Sequence, residues 1–171
     1  MAETIAMHDV SDNNPETRFI CDDNLGKLAR YLRACGFDTY FDDHISDSDL
    51  ITIALDENRH ILTRDHKLTE RTLVRKYFQI EDDNWMDQLR AVISYYELRV
   101  SKKNIFTRCL EDNVLIETVL KHNIKTLVYP YIYEKHTGFK QCPQCKRVFW
   151  AGTHTRAIIE RLTLGGIKIL D

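Results

Sequence analysis

The run Arg18-Phe19-Ile20-Cys21-Asp22-Asp23-Asn24-Leu25-Gly26-Lys27-Leu28-Ala29-Arg30-Tyr31-Leu32-Arg33 decides the fold. Its first four residues read as a short buried strand that runs directly into two carboxylates. Leu25, Leu28, Ala29 and Leu32 then recur at helical spacing up to Cys35, where Gly36 stops the helix. The same alternation continues downstream. Thr39-Tyr40-Phe41 is a second strand, and Asp47 or Ser48 can cap a helix carrying Leu50, Ile51, Ile53, Ala54 and Leu55. Arg59-His60-Ile61-Leu62-Thr63 is a third strand, closing on Arg64-Asp65. A helix over 67–76 and a fourth strand, Tyr77-Phe78-Gln79-Ile80, follow. Asp83 or Asn84 can cap a long helix through Trp85, Leu89, Val92, Ile93 and Tyr96. Strands separated by helices at these intervals predict right-handed crossovers, hence an α/β fold with a parallel sheet flanked by helices.

The chain has 171 residues, 43% of them hydrophobic and 29% charged, enough apolar material for one domain or two small ones. That balance excludes a disordered polyelectrolyte, and no apolar run reaches the roughly 18 to 20 residues of a membrane span. Residues 1–17 are polar and aperiodic, with neither a basic nor an apolar signal-peptide region, so they are expected to form a mobile tail. Five cysteines, an odd number, do not form a secreted disulfide framework. The expectation is a cytoplasmic protein whose thiols are reduced or metal-bound.

Charge divides the chain. Residues 1–17 carry four acids and no base, residues 18–100 carry 12 bases and 16 acids, and residues 101–171 carry 12 bases and 6 acids. An acidic module over 18–100 and a basic one over 101–171 are therefore expected. Lys102 to Asn104 is a polar joint between them, and 114–123 reads as one short helix beyond it.

Asp22 and Asp65 each follow a buried strand, and the C-terminal strand ends of a parallel sheet share one edge. Two carboxylates there repel unless a cation neutralises them, and hard oxygen donors suit Mg²⁺ or Mn²⁺. Asp23, Asp47 and Asp49 can add ligands. The competing explanation is that these acids only cap the helices behind the strands.

The stretch from Asp22 to Arg33, continued by Gly36-Phe37-Asp38-Thr39, resembles the opening motif of the Mut-seven C-terminal RNase domain family, a branch of the PIN-like nucleases. Ile61-Leu62-Thr63-Arg64-Asp65 resembles that family's second signature, with Gln88-Leu89 on the helix behind it. Cys142-Pro143-Gln144-Cys145 and Val148-Phe149-Trp150-Ala151-Gly152-Thr153-His154 resemble its zinc-ribbon end. The resemblance implies a PIN-like sheet followed by a small zinc-ribbon-like module. It puts catalytic acids on Asp22, Asp47 and Asp65, with Asp49 as the alternative to Asp47. It also implies Mg²⁺- or Mn²⁺-dependent hydrolysis of RNA, with Zn²⁺ in a structural role. Lys27, Arg30 and Arg33, on the helix after Asp22, and Arg64, beside Asp65, can hold phosphates near the metal.

Cys142 and Cys145 form a knuckle for Zn²⁺, and Cys109 is the natural third ligand. The family pattern has a cysteine three residues further on, where this chain has Asp112. Asp112 or His154 can complete the shell, or the site is lost; Cys21 and Cys35 read as core thiols. Phe149, Trp150 and the tyrosines from Tyr129 to Tyr133 interleave with Lys135, Lys140, Lys146, Arg147 and Arg156, a composition that suits either a small core or base stacking. The readings that compete with a ribonuclease are an RNA-binding or ribosome-associated module with a degenerate acidic site, and a PIN-like toxin.

Overall fold

The structure, a computed structural model, describes residues 17–171. The expected tail lies outside the described residues except for Thr17, which is buried. Strands β1 (Phe19–Cys21), β2 (Thr39–Tyr40), β3 (His60–Thr63) and β4 (Tyr77–Gln79) form one parallel sheet in the order β2-β1-β3-β4. Helices α1 (Gly26–Ala34), α2 (Asp47–Asp56), α3 (His66–Thr69) and α4 (Trp85–Tyr95) alternate with them. This is the α/β class read from the sequence.

Side chains alternate across a strand, so each strand feeds two cores. Phe19, Cys21 and Leu62 meet Leu28, Leu32, Leu89 and Val92 of α1 and α4 on one face. Ile20 and Ile61 meet Leu50, Ile51 and Ala54 of α2, with Leu68 and Val74, on the other. Full burial of each Leu, Ile or Phe contributes about 1.5–3 kcal/mol. Two glycines set α1 in place. A Cβ on Gly26 would lie 2.7 Å from the Phe41 ring, and Gly36, at φ +96°, supplies the left-handed turn that ends the helix.

The cap of α2 is Ser46 rather than Asp47 or Ser48. Its hydroxyl accepts from the Asp49 N–H (3.2 Å) and donates to Asp49 Oδ2 (2.6 Å), a reciprocal box closed by an acid three residues on. The helix expected over 67–76 is one turn, α3. Leu68 and Val74 are buried while Leu73 is exposed, a spacing that no helical face accommodates, and the chain turns to bring Val74 onto the second core.

Past residue 100, β5 (Val100–Ser101) precedes a three-stranded antiparallel sheet, β6 (Glu117–Val119), β7 (Phe139–Gln141) and β8 (Val148–Trp150), with helix α5 (Pro130–Lys135) between β6 and β7. The helix expected over 114–123 is instead β6 and a 3₁₀ turn, because its β-branched Thr118 and Val119 pair with β7. Helix α6 (Thr153–Leu164) was not anticipated. It buries Leu162 against the core of α1 and α4, and β9 (Ile169–Leu170) then pairs with β5. The residues expected to form one module over 101–171 thus return to the first core from α6 onward. No helix among the described residues is long and apolar enough to cross a membrane.

Candidate functional site

The chain leaves β1 for β2 on one side, then returns to β3 on the other, so the strand order reverses between β1 and β3. Ligand crevices of parallel sheets open at the carboxyl ends beside such a reversal. Asp22 follows β1 there, and Asp65 lies two residues past β3.

Asp22 is buried and tied to both strands. Its N–H donates to Leu62 O (3.0 Å), Oδ1 accepts from Asp23 N–H (2.9 Å), and Oδ2 accepts from the Thr63 hydroxyl (2.7 Å). Thr63 Oγ1 accepts in turn from Asp65 N–H (2.9 Å), which links the end of β3 to the Asp22 carboxyl. Burial pushes the Asp22 carboxyl above its usual range, and the charges of Asp23 and Asp47 add to this. The Thr63 and Asp23 hydrogen bonds pull it back.

Asp65 is exposed, and its Oδ1 caps α3 by accepting from Lys67 N–H (2.8 Å). Asp47 is half-buried, paired with Arg71, and near enough to Asp22 for its charge to be felt. Asp49 Oδ2 accepts from the Ser46 hydroxyl, and of the two alternatives Asp47 is the one whose charge is felt at Asp22. Among the described residues these acids share an edge without closing into a tight donor cluster.

The predicted cations divide. Lys27 Nζ lies 5.0 Å from the centre of the Trp85 ring, which stacks on Tyr31 at 3.9 Å. Arg30 pairs with Glu111 (2.7 Å) and Arg64 with Asp83, both from half-exposed positions that leave the guanidinium open to exchange. Arg33 does not fit its expected phosphate role. It is 5% exposed, and its guanidinium donates to Thr39 O (2.8 Å), Leu110 O (2.9 Å) and Glu111 O (2.8 Å). Those carbonyls take up the charge-assisted donors that a phosphate would need, so Arg33 stitches α1 to the loop after β5.

Two groups at this edge have roles that were not read from the sequence. Thr63 stands within the Ile61–Asp65 signature, but nothing there marks its hydroxyl as the donor to Asp22. Gln79 ends β4 level with Thr63, and its buried Oε1 and Nε2 have no hydrogen-bond partner among the described residues. Leaving such a group unmet costs about 1–3 kcal/mol, and it lies one strand from the Thr63–Asp22 pair.

The second cluster lies in two matching turns. In 109–114, Cys109 N–H donates to Val114 O (2.8 Å) and Asn113 N–H to Cys109 O (3.0 Å). In 142–147, Cys142 N–H donates to Arg147 O (3.0 Å) and Lys146 N–H to Cys142 O (3.1 Å). Asn113 and Lys146 both hold positive φ (63° and 61°). Asp112 is therefore the positional counterpart of Cys145. The donor atoms of Cys109, Asp112, Cys142 and Cys145 lie within 4.8 Å of one another and can hold a metal ion. His154, expected as an alternative ligand, stands outside this group at the start of α6, because β8 carries the chain away from the second turn before His154 is reached.

No curated protein and no solved structure matches the chain. The family described as the Mut7-C RNAse domain matches residues 17–162, a span that includes both the acidic sheet edge and the cysteine turns. That description carries a nuclease-type function, with nucleic acid as substrate. With a match over most of its length, the chain belongs to the Mut7-C RNAse domain family.

Proposed function

We propose that the protein is a PIN-like ribonuclease that hydrolyses RNA phosphodiester bonds with Mg²⁺ or Mn²⁺ held at Asp22, Asp47 and Asp65. The observation that carries this is the buried Asp22 carboxyl, set beside the strand reversal and joined through Thr63 to Asp65. The donor set fits a hard cation: the carboxylates supply oxygen ligands, and Asp22 is pushed toward its neutral form by burial and by the charges of Asp23 and Asp47, a strain a cation relieves. Such an ion supplies charge stabilisation at the phosphate and lowers the pKa of a bound water. Asp22 and Asp65 hold one side of the crevice through the Thr63 link, while Asp47 closes it from the start of α2. Arg64, adjacent to Asp65 in the chain, and Lys27, in the first turn of the helix after Asp22, offer cations to the substrate phosphates.

The cysteine turns support a structural Zn²⁺ held by Cys109, Asp112, Cys142 and Cys145. Zn–S bonds of about 2.3 Å in a tetrahedron set neighbouring sulfurs about 3.8 Å apart. Cys109 and Cys145 Sγ are 3.8 Å apart, and Asp112 Oδ2 lies 3.3 Å from Cys109 Sγ and 3.1 Å from Cys142 Sγ. Gln144 and Cys145 N–H also point at Cys142 Sγ (3.3 and 3.4 Å), as donors to a thiolate do.

Purified protein should cleave labelled RNA only with Mg²⁺ or Mn²⁺, and Asp22→Asn should abolish cleavage with the thermal melt retained. Wild-type-like cleavage by Asp22→Asn refutes the acid assignment. RNA binding without cleavage by the parent, in either metal, turns the reading to a non-catalytic RNA-binding module.

A further inference from the structure

The segment from Leu120 to Lys140 leaves more aromatic surface in water than its small sheet explains. Tyr129 is 83% exposed and Tyr131 64% exposed, flanking Pro130 at the start of α5. Rings that bare contribute little to folding. Their surroundings are cationic: Lys121, Lys125, Lys135 and Lys140 face a single acid, Glu134, within the segment. Two of these lysines lie against tyrosines of α5, one of them the exposed Tyr131. Lys135 Nζ is 5.2 Å from the Tyr131 ring centre and bonds its hydroxyl (2.9 Å), and Lys121 Nζ is 4.7 Å from that of the half-buried Tyr133. Lys135 therefore holds its ammonium group beside the exposed Tyr131, and Lys121 holds a second one beside Tyr133 on the same helix.

We infer that Tyr129 and Tyr131, with Lys121 and Lys135, form a stacking platform for the unpaired bases of single-stranded RNA, apart from the acidic edge. The inference rests on the ribonuclease reading for the identity of the polymer. A ring face with an ammonium beside it matches both halves of a nucleotide: the base stacks, and the adjacent phosphate meets the cation. An apolar protein partner would be poorly served, because docking there would bury the ammonium groups of Lys121 and Lys135. Duplex RNA keeps its bases stacked on each other and has no free face to offer.

The test is a fluorescence-anisotropy titration of full-length Asp22→Asn protein with a labelled single-stranded oligoribonucleotide, and with the same strand annealed to its complement. Tyr129→Leu/Tyr131→Leu should weaken single-strand binding about tenfold or more, and Tyr129→Trp/Tyr131→Trp should restore it. Duplex affinity should not move with either change. Thermal melts should superimpose, since both rings lie outside the core. Equal single-strand affinity for the leucine and parent proteins overturns the platform, as does equal loss in the leucine and tryptophan proteins. Overturning it in that way leaves metal-dependent cleavage by the parent untouched, so failure here is distinguishable from failure of the ribonuclease reading.

Discussion

Asp38 is the charge on which the junction between the parallel sheet and the cysteine turns depends. Its Oδ1 accepts from Arg59 Nη1 (2.6 Å) and Asn113 Nδ2 (2.7 Å), and Arg108 Nη2 stands 3.5 Å from Oδ2. Arg59 is 7% exposed, Asp38 17% and Arg108 18%, so the group is largely out of water. At about 4 Å and an effective dielectric of about 20, each pair is worth roughly 4 kcal/mol before desolvation is counted. Desolvation removes much of that gain, but deleting Asp38 leaves Arg108 without its carboxylate and Arg59 with only the half-exposed Glu57 (2.7 Å), at a cost near the lower end of about 3–5 kcal/mol. Asp38→Ala should therefore lose about 3 kcal/mol in urea unfolding at pH 7.

Burial pushes the Asp38 carboxyl up, but the hydrogen bonds from Arg59 and Asn113 and the charges of Arg59 and Arg108 outweigh it, so the group is held below its usual range. A carboxyl depressed in the folded state contributes stability above its unfolded value, about 3.9, and loses it as pH falls through the folded value. The margin of the parent over Asp38→Ala should accordingly shrink as pH falls from roughly 4 through the folded value. A difference below about 1 kcal/mol at pH 7, or one that persists undiminished at pH 2, would refute the argument.

Gln79→Leu should raise stability by about 1 kcal/mol by removing unmet buried amide atoms, which a chemical melt measures. Arg33→Met should release three carbonyls of 39, 110 and 111 and weaken zinc retention in a competition with a chromophoric chelator, leaving zinc stoichiometry at saturation unchanged. Charge reversal at Lys140, Lys146 and Arg147 should weaken RNA binding across sequences. The salt slope should flatten by about 0.7 log units for each lost phosphate contact, measured by titration over a tenfold salt range.

The parallel sheet was legible because each of its strands is a short apolar run followed by turn chemistry, and because Gly36 and Asn84 are local signals that act where they stand. Asp22 and Asp65 were legible for the same reason. Arg33 was not. Its spacing puts it on α1 with Lys27 and Arg30, and only the tertiary contact with Leu110 and Glu111, nearly eighty residues away, turns it inward. Likewise α3 stops early because Val74 is required in the second core, and residues around 118 become a strand because β7 lies beside them. Asp112 stood in the sequence as a departure from a cysteine pattern. The matching hydrogen bonds of its turn and of the Cys142 turn are what make it a counterpart of Cys145. Gln79 carried no sequence signal, because an unmet hydrogen bond is a property of surroundings.

The pairing of β5 with β9 means that the antiparallel sheet leaves the main body and comes back to it through adjacent strands. A segment held at both ends, and clamped further by Arg33, Arg30 and Asn113, cannot swing as a bead on a single string. Its loosening is consequently a sub-global opening, with a free energy below that of whole-chain unfolding. Amide hydrogens of β6 to β8 should exchange sooner than those of β1 and β3, and stripping the metal from the cysteine turns should accelerate the first group while sparing the second.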